Sequence, residues 1–239
     1  MPLLLLAPID WPAALCGDHA GVPLIFDLHP EDGNEPSPED DRALLAFLQA
    51  RDRTIARRPV LVRIGGFPDA NAETDLATLG HGLPDGILLS GCRNGADIQK
   101  LDVLLGVAEA AANRPIGETS ILAECGAEAQ FFLSPHSLAR KSARLRGLVF
   151  NAAALAGATG AMPDYPRIRP AGGLLSFARA ICVLKAVEAQ VPRYEMLAAT
   201  IAPDELMPVR TASLKNGFDD IVASGPAHLA ALSGWPLRP

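Results

Sequence analysis

The sequence predicts an α/β fold, specifically an eightfold parallel (β/α) TIM barrel that occupies residues 1–239 as one domain. Three observations predict it. Short, nearly continuous apolar runs alternate with longer helical segments along the whole chain, and continuous apolarity is the pattern of parallel strands covered on both faces. Eight strand–helix units in 239 residues give about 30 residues per unit, the size of a βαβ step. No Pro/Gly/Ser-rich stretch is long enough to separate two domains, and single α/β barrels commonly run to ~250 residues. A doubly wound open sheet is the alternative, but no GxGxxG follows any strand, so its dinucleotide-binding form lacks its main signal.

In chain order the expected strands are Leu3–Ala7, Pro23–Leu28, Pro59–Ile64, Asp85–Leu89, Gly117–Ala123, Gly147–Phe150, Tyr194–Ala198 and Ile221–Ala223. Helices fill the gaps between them. Ser37-Pro38-Glu39-Asp40 sets a capping serine, a first-turn proline and an acidic third position in order, which is a helix start. Asn94-Gly95-Ala96-Asp97 repeats that logic, and Ile98, Leu101, Leu105, Ala108 and Ala112 then recur along one helical face. Pro203-Asp204-Glu205 and Ser224-Gly225-Pro226 open two more helices, and the longest helix is expected from Leu174 to Gln190. Pro30–Asp41 reads as an acidic surface loop leading into a helix.

Composition narrows the function classes. Hydrophobic residues are 49% and charged residues 20% of the chain, close to globular averages, which excludes a disordered or fibrous protein. The net charge of −6 shows no basic stripe, so nucleic acid and anionic membrane are not expected partners. No window reaches the ~18 apolar residues of a membrane span, and Leu3–Ala7 lacks the basic flank of a signal peptide; a cytoplasmic protein is expected. Cys16, Cys92, Cys125 and Cys182 form no CxxC pair and read as reduced core thiols.

In such a barrel chemistry sits at the C-terminal ends of the strands. The residues at or just past the apolar runs are Asp27 and His29, Arg63, Ser90 and Cys92, Glu124, Asn151 and Ser224. Strand ends meet water, so polar residues are expected there in any case. Arg63 and Glu124 stand apart because each closes a strongly apolar strand, where a charge needs a partner. An arginine and carboxylates converging on one face could orient an anionic substrate. Gly65 and Gly66 follow Arg63 and allow either close backbone approach to a ligand or a tight turn. His29 is a candidate base or a solvated loop histidine, and Cys125 is read as packing.

The order of these pieces resembles the citrate lyase beta-subunit-like branch of the HpcH/HpaI aldolase superfamily. Leu24-Ile25-Phe26-Asp27-Leu28 is similar to that family's strand ending in Asp-Leu-Glu-Asp, and Val60-Leu61-Val62-Arg63-Ile64 to its Val-Arg-Val-Asn strand. Asp75-Leu76 and Pro84–Leu89 resemble its next helix–strand step, Ile121-Leu122-Ala123-Glu124 its Leu-Ile-Glu-Thr, and Gly147–Phe150 its strand ending in Phe-Gly-x-x-Asp-Leu. Ala178-Arg179 and Asn216–Ile221 resemble two later stretches.

The resemblance implies an α/β barrel that cleaves or forms a carbon–carbon bond beside a carbonyl, often on coenzyme A thioesters, with Mg²⁺ polarising the carbonyl. It makes Arg63 and Glu124 the catalytic pair and Glu124 a metal ligand; together with the strand-end reading, Asp27, His29, Arg63 and Gly65 are the expected substrate-binding residues. It also implies a homo-oligomer. Several family positions depart from the pattern. The expected second metal ligand falls on Ala154, the motif glycine is Asn151, the family lysine after the fourth strand is missing at Leu89-Ser90-Gly91, and the paired acids become His29-Pro30 with Glu31 and Asp32 further along. A weak magnesium site with no tightly bound metal is therefore expected. The function expected is carbon–carbon lyase, an aldol- or Claisen-type cleavage of a hydroxy-acyl thioester or related carboxylic acid. The alternatives are a catalytically inactive barrel that binds a metabolite or protein partner, and an unrelated α/β barrel enzyme.

Overall fold

A computed structural model describes residues 4–7, 22–29, 37–50, 59–68, 71–161, 173–225, 228 and 231. Its strands are β1 (Leu4–Ala7), β2 (Leu24–Asp27), β3 (Val60–Ile64), β4 (Gly86–Leu89), β5 (Ser120–Cys125), β6 (Leu145–Asn151), β7 (Arg193–Met196) and β8 (Asp220–Ser224). Every adjacent pair is parallel, for example Asp27 opposite Arg63 and Arg63 opposite Leu88. Leu4–Leu6 of β1 also pair with Val222–Ser224 of β8, so the ladder curls back onto its first strand. The architecture is α/β and TIM-barrel-like.

The helices are α1 (Pro38–Ala50), α2 (Asn71–Leu79), α3 (Gly95–Ala111), α4 (Gln130–Leu133), α5 (Ala152–Thr159), α6 (Leu174–Ala189) and α7 (Leu206–Lys215). The expected caps are present at two starts. Ser37 and Asp40 exchange bonds at the head of α1, with the Asp40 N–H on Ser37 Oγ at 3.3 Å and the Ser37 N–H on Asp40 Oδ2 at 2.8 Å. Asn94 Oδ1 accepts the Ala96 N–H at 2.8 Å and caps α3. Pro203–Glu205 is a 3₁₀ turn that runs into α7. Among the described residues the longest helix is α3 with 17 residues rather than α6 with 16; α6 ends where Gln190 turns left-handed. The helix expected after Ser224 lies largely outside the described residues, as do Cys16, Glu31 and Asp32.

Period-two alternation along the strands creates two cores and then the site. Leu24, Phe26, Val60, Val62, Ile64, Ile87, Leu89, Ile121, Ala123, Leu148 and Phe150 point outward and join the helices in one apolar cluster. Ile25, Leu61, Leu88, Leu122, Val149, Tyr194, Met196 and Val222 fill the inside. Gly147 makes room for this inner layer: a Cβ there would lie 2.9 Å from Leu122 and 3.1 Å from the Tyr194 ring. Two residues further along each strand the same inward-facing positions are Asp27, Arg63, Ser90, Glu124, Asn151 and Ser224. Strand geometry thus places these polar residues on top of the inner apolar layer.

Candidate functional site: a self-paired charge cluster and a histidine at the barrel mouth

Arg63 is the hub of the strand-end layer. Its Nε donates to Glu124 Oε2 at 2.6 Å and its Nη2 to Glu124 Oε1 at 2.9 Å, a two-point grip. Nη1 reaches the Asp27 carboxylate at 3.1 and 3.2 Å and the His29 carbonyl at 2.6 Å. Nη2 also donates to Ser90 Oγ at 3.2 Å. A guanidinium has five N–H donors, and these partners engage all of them. Arg63 is 4% exposed and Glu124 0%. Burial would lower the arginine's pKa, but Glu124 and Asp27 outweigh it and hold the value above the ordinary one.

Glu124 is equally engaged. Its Oε1 accepts a second bond from Asn151 Nδ2 at 2.9 Å. Asn151 ends β6 and caps α5, taking the Ala154 N–H on Oδ1 at 2.9 Å, and its Nδ2 lies 3.3 Å from Met196 Sδ. A Cβ on the neighbouring Gly126 would fall 2.2 Å from the Asn151 carbonyl oxygen, so the chain after β5 must be glycine to let Asn151 reach Glu124. The buried layer holds two carboxylates, Asp27 and Glu124, against one guanidinium.

His29 lies at the edge of this layer. Its backbone N–H bonds Asp27 Oδ1 at 2.9 Å. Its Nε2 lies 2.7 Å from Asp75 Oδ2; a carboxylate only accepts, so Nε2 carries the proton. The Gly65 N–H also donates to Asp75 Oδ2, at 2.7 Å, which fixes the carboxylate. The His29 side chain is 34% exposed. Its pKa is raised above 6.5, chiefly by the bond to Asp75 and further by the Asp75 and Asp27 charges, against the opposing pull of burial and Arg63.

The structure therefore gathers Asp27, Arg63, Ser90, Glu124 and Asn151 into one network, with His29 and Gly65 at its rim. Ser224 shares the layer but not the network: its Oγ donates to the Leu197 carbonyl at 2.8 Å. Cys92 is a buried thiol pushed up to about 12 by burial. Cys125 packs in the core 3.4 Å from Cys182 Sγ. Asp75 is the residue that strand-end reasoning missed. It lies on α2, 46 positions from His29, and its only sequence signal was the Asp75-Leu76 step of the resemblance.

Magnesium, which the resemblance implies, does not fit these residues. Mg²⁺ asks for free oxygen ligands in near-octahedral array. Both Glu124 oxygens already accept N–H donors, a guanidinium lies against them, and Ala154 offers no oxygen at the expected second position. Among the described residues no group of three or more His, Cys, Asp or Glu is arranged to hold a metal ion.

No protein-family model matches the sequence, and no curated protein matches it in sequence. Solved structures do match its shape. RipC from Yersinia pestis superposes with a TM-score of 0.72 at 20% identity, covering 98% of this chain and 94% of that one. The citrate lyase beta subunit from M. tuberculosis, complexed with oxaloacetate and magnesium, gives 0.70 at 19% identity, covering 98% and 95%. CitE from Mycobacterium tuberculosis, in complex with magnesium, acetoacetate and coenzyme A, gives 0.68 at 18% identity, covering 98% and 79%. Among the described residues no helix is long and apolar enough to cross a membrane. The chain has the fold of RipC and of the citrate lyase beta subunit, the branch that its own motifs resemble.

Proposed function

We propose that this chain is a citrate lyase beta-like barrel that binds a short carboxylic acid or acyl thioester at its mouth and has lost magnesium-dependent carbon–carbon cleavage. One observation carries the reading: Arg63 and Glu124 are engaged by each other and by their protein neighbours, through all five guanidinium N–H groups and both carboxylate oxygens. Lyase chemistry of the family's kind needs the carboxylate on a metal and the arginine on substrate. The ligand class is supported by the structural neighbours, whose complexes hold oxaloacetate, acetoacetate and coenzyme A. As part of the same proposal, residues 1–239 act as one eightfold barrel domain, in the cytoplasm, as a homo-oligomer.

The active-lyase reading is favoured by the convergence of Asp27, Arg63 and Glu124 on the strand-end face. In it Asp27 and Glu124 would be released from Arg63 when substrate enters. Two assays separate the readings. Calorimetry with pyruvate, acetoacetate and acetyl-CoA, each with EDTA and with MgCl₂, tests binding; NMR of a 3-hydroxyacyl-CoA incubated with the protein tests cleavage. Binding indifferent to EDTA, without cleavage, is expected. Magnesium-dependent cleavage that disappears in Glu124→Gln would overturn the proposal in favour of the lyase.

A further inference from the structure

Among the described residues, the charge cluster spends its one arginine on its own carboxylates and neighbours. Arg63 has no free N–H, and the layer it belongs to carries one more carboxylate than guanidinium. Arg93, which follows β4, is held by Asp97 at 2.7 Å, and Arg179 by Glu195 at 2.6 Å. A carboxylate arriving at the mouth therefore needs another positive donor.

We propose that His29, oriented by Asp75, is the cationic ligand-binding residue of the mouth, and that its Nδ1–H receives a carboxylate or carbonyl oxygen of a short oxo-acid. This assignment rests on the reading of the mouth as a carboxylate site and names the group that makes it one.

Four features support it. The ring orientation is fixed, because Nε2 is bonded to Asp75 and Asp75 is itself held by the Gly65 N–H. Nδ1 is then the ring nitrogen left for a ligand, and among the described residues none bonds to it. The side chain is one-third exposed, so a solute can reach it. Gly65 supplies the space for this arrangement: a Cβ there would lie 3.2 Å from His29 Nε2 and 2.4 Å from Asn71 Cβ.

The charged groups around the ring set its protonation. Asp75 on α2 and Asp27 on β2 favour the imidazolium, and Arg63 on β3 opposes it. Asp41 on α1 stands behind Asp75, and its own carboxyl is raised by burial and by the Asp75 charge. The balance keeps His29 protonated to a higher pH than a free histidine. Ligand affinity should thus be high below that pH and fall as the ring loses its proton.

The test is calorimetry of the full chain with pyruvate from pH 5.5 to 8.5, beside ring-nitrogen NMR of His29. Pyruvate affinity should fall tenfold or more across that range, and pyruvate should perturb Nδ1. His29→Gln, checked for folding by circular dichroism, should bind weakly with no pH dependence. Asp75→Asn should move the fall to lower pH. Binding that is unchanged in His29→Gln, or independent of pH in the native chain, overturns the assignment while leaving the carboxylate site standing. Failure of pyruvate, acetoacetate and acetyl-CoA to bind at any pH overturns the carboxylate site, and this assignment with it.

Discussion

Arg63 on β3 and Glu124 on β5 grip each other through two parallel hydrogen bonds, 2.6 and 2.9 Å long, across the top of the barrel. Ser90, just past the intervening strand β4, takes a further Arg63 N–H on its Oγ. Strand register brings the two side chains together: each is the inward residue two positions beyond an inner apolar residue, Leu61 for Arg63 and Leu122 for Glu124. The pair is a structural tie across the mouth.

A residue that served only the ligand could be removed without harm to the fold. Arg63 is not such a residue. Arg63→Met leaves Asp27 and Glu124 buried without their cation, and breaking a buried pair in this way costs ~3–5 kcal/mol. Urea denaturation should show a midpoint lowered accordingly. A variant as stable as the native chain would mean that the two carboxylates are protonated or solvated after the loss.

Acid sensitivity should come from the other end of the barrel. Arg144 holds both oxygens of Glu109 at 2.8 Å, and the Gly117 and Thr119 N–H groups add bonds of 2.7 Å. Burial alone would raise the Glu109 pKa, but Arg144 and the two N–H groups prevail and hold it at about 2. A depressed carboxylate pKa stabilises the fold fully above the unfolded value near 4.5 and ceases to do so as pH falls through about 2. That gap corresponds to on the order of 3 kcal/mol. Stability followed from pH 6 to pH 2 should decline over this window, and Glu109→Gln should start lower and decline less.

Gly65 is constrained by its neighbours rather than by its dihedrals. An alanine there would bring its Cβ to 2.4 Å from Asn71 Cβ and 3.2 Å from His29 Nε2. Gly65→Ala should cost ~1–3 kcal/mol, the usual range for overpacking. It should also weaken the His29–Asp75 bond and so lower the His29 pKa. Thermal melts and a proton NMR titration of His29 measure the two effects; a destabilised variant with an unaltered titration would detach Gly65 from the His29–Asp75 pair.

These relationships were unequally legible in the sequence. The strands were visible because a covered parallel strand needs apolar side chains on both faces, as Val60-Leu61-Val62 and Leu148-Val149-Phe150 have. Asp27, Arg63, Ser90, Glu124 and Asn151 could be picked out because each breaks such a run at its C-terminal end. Their bonding could not be read in advance. Whether Arg63 faces a ligand or a carboxylate depends on register between strands that are far apart in the chain. Asp75 carries no strand-end signal, since it lies on a helix and meets His29 only through tertiary packing. The α6 boundary shows a smaller limit: the apolar pattern continues past Ala189, while Gln190 takes a left-handed conformation that stops the helix.

In the proposed reading Arg63, rather than a metal ion, neutralises the carboxylates at the barrel mouth. Titration of the protein with Mn²⁺, followed by the loss of the free-ion EPR signal, tests this pairing. Mn²⁺ should remain free at micromolar concentrations, with binding no tighter than about 1 mM, a binding free energy near 4 kcal/mol. Stoichiometric binding at micromolar Mn²⁺ that is abolished in Glu124→Gln would contradict it.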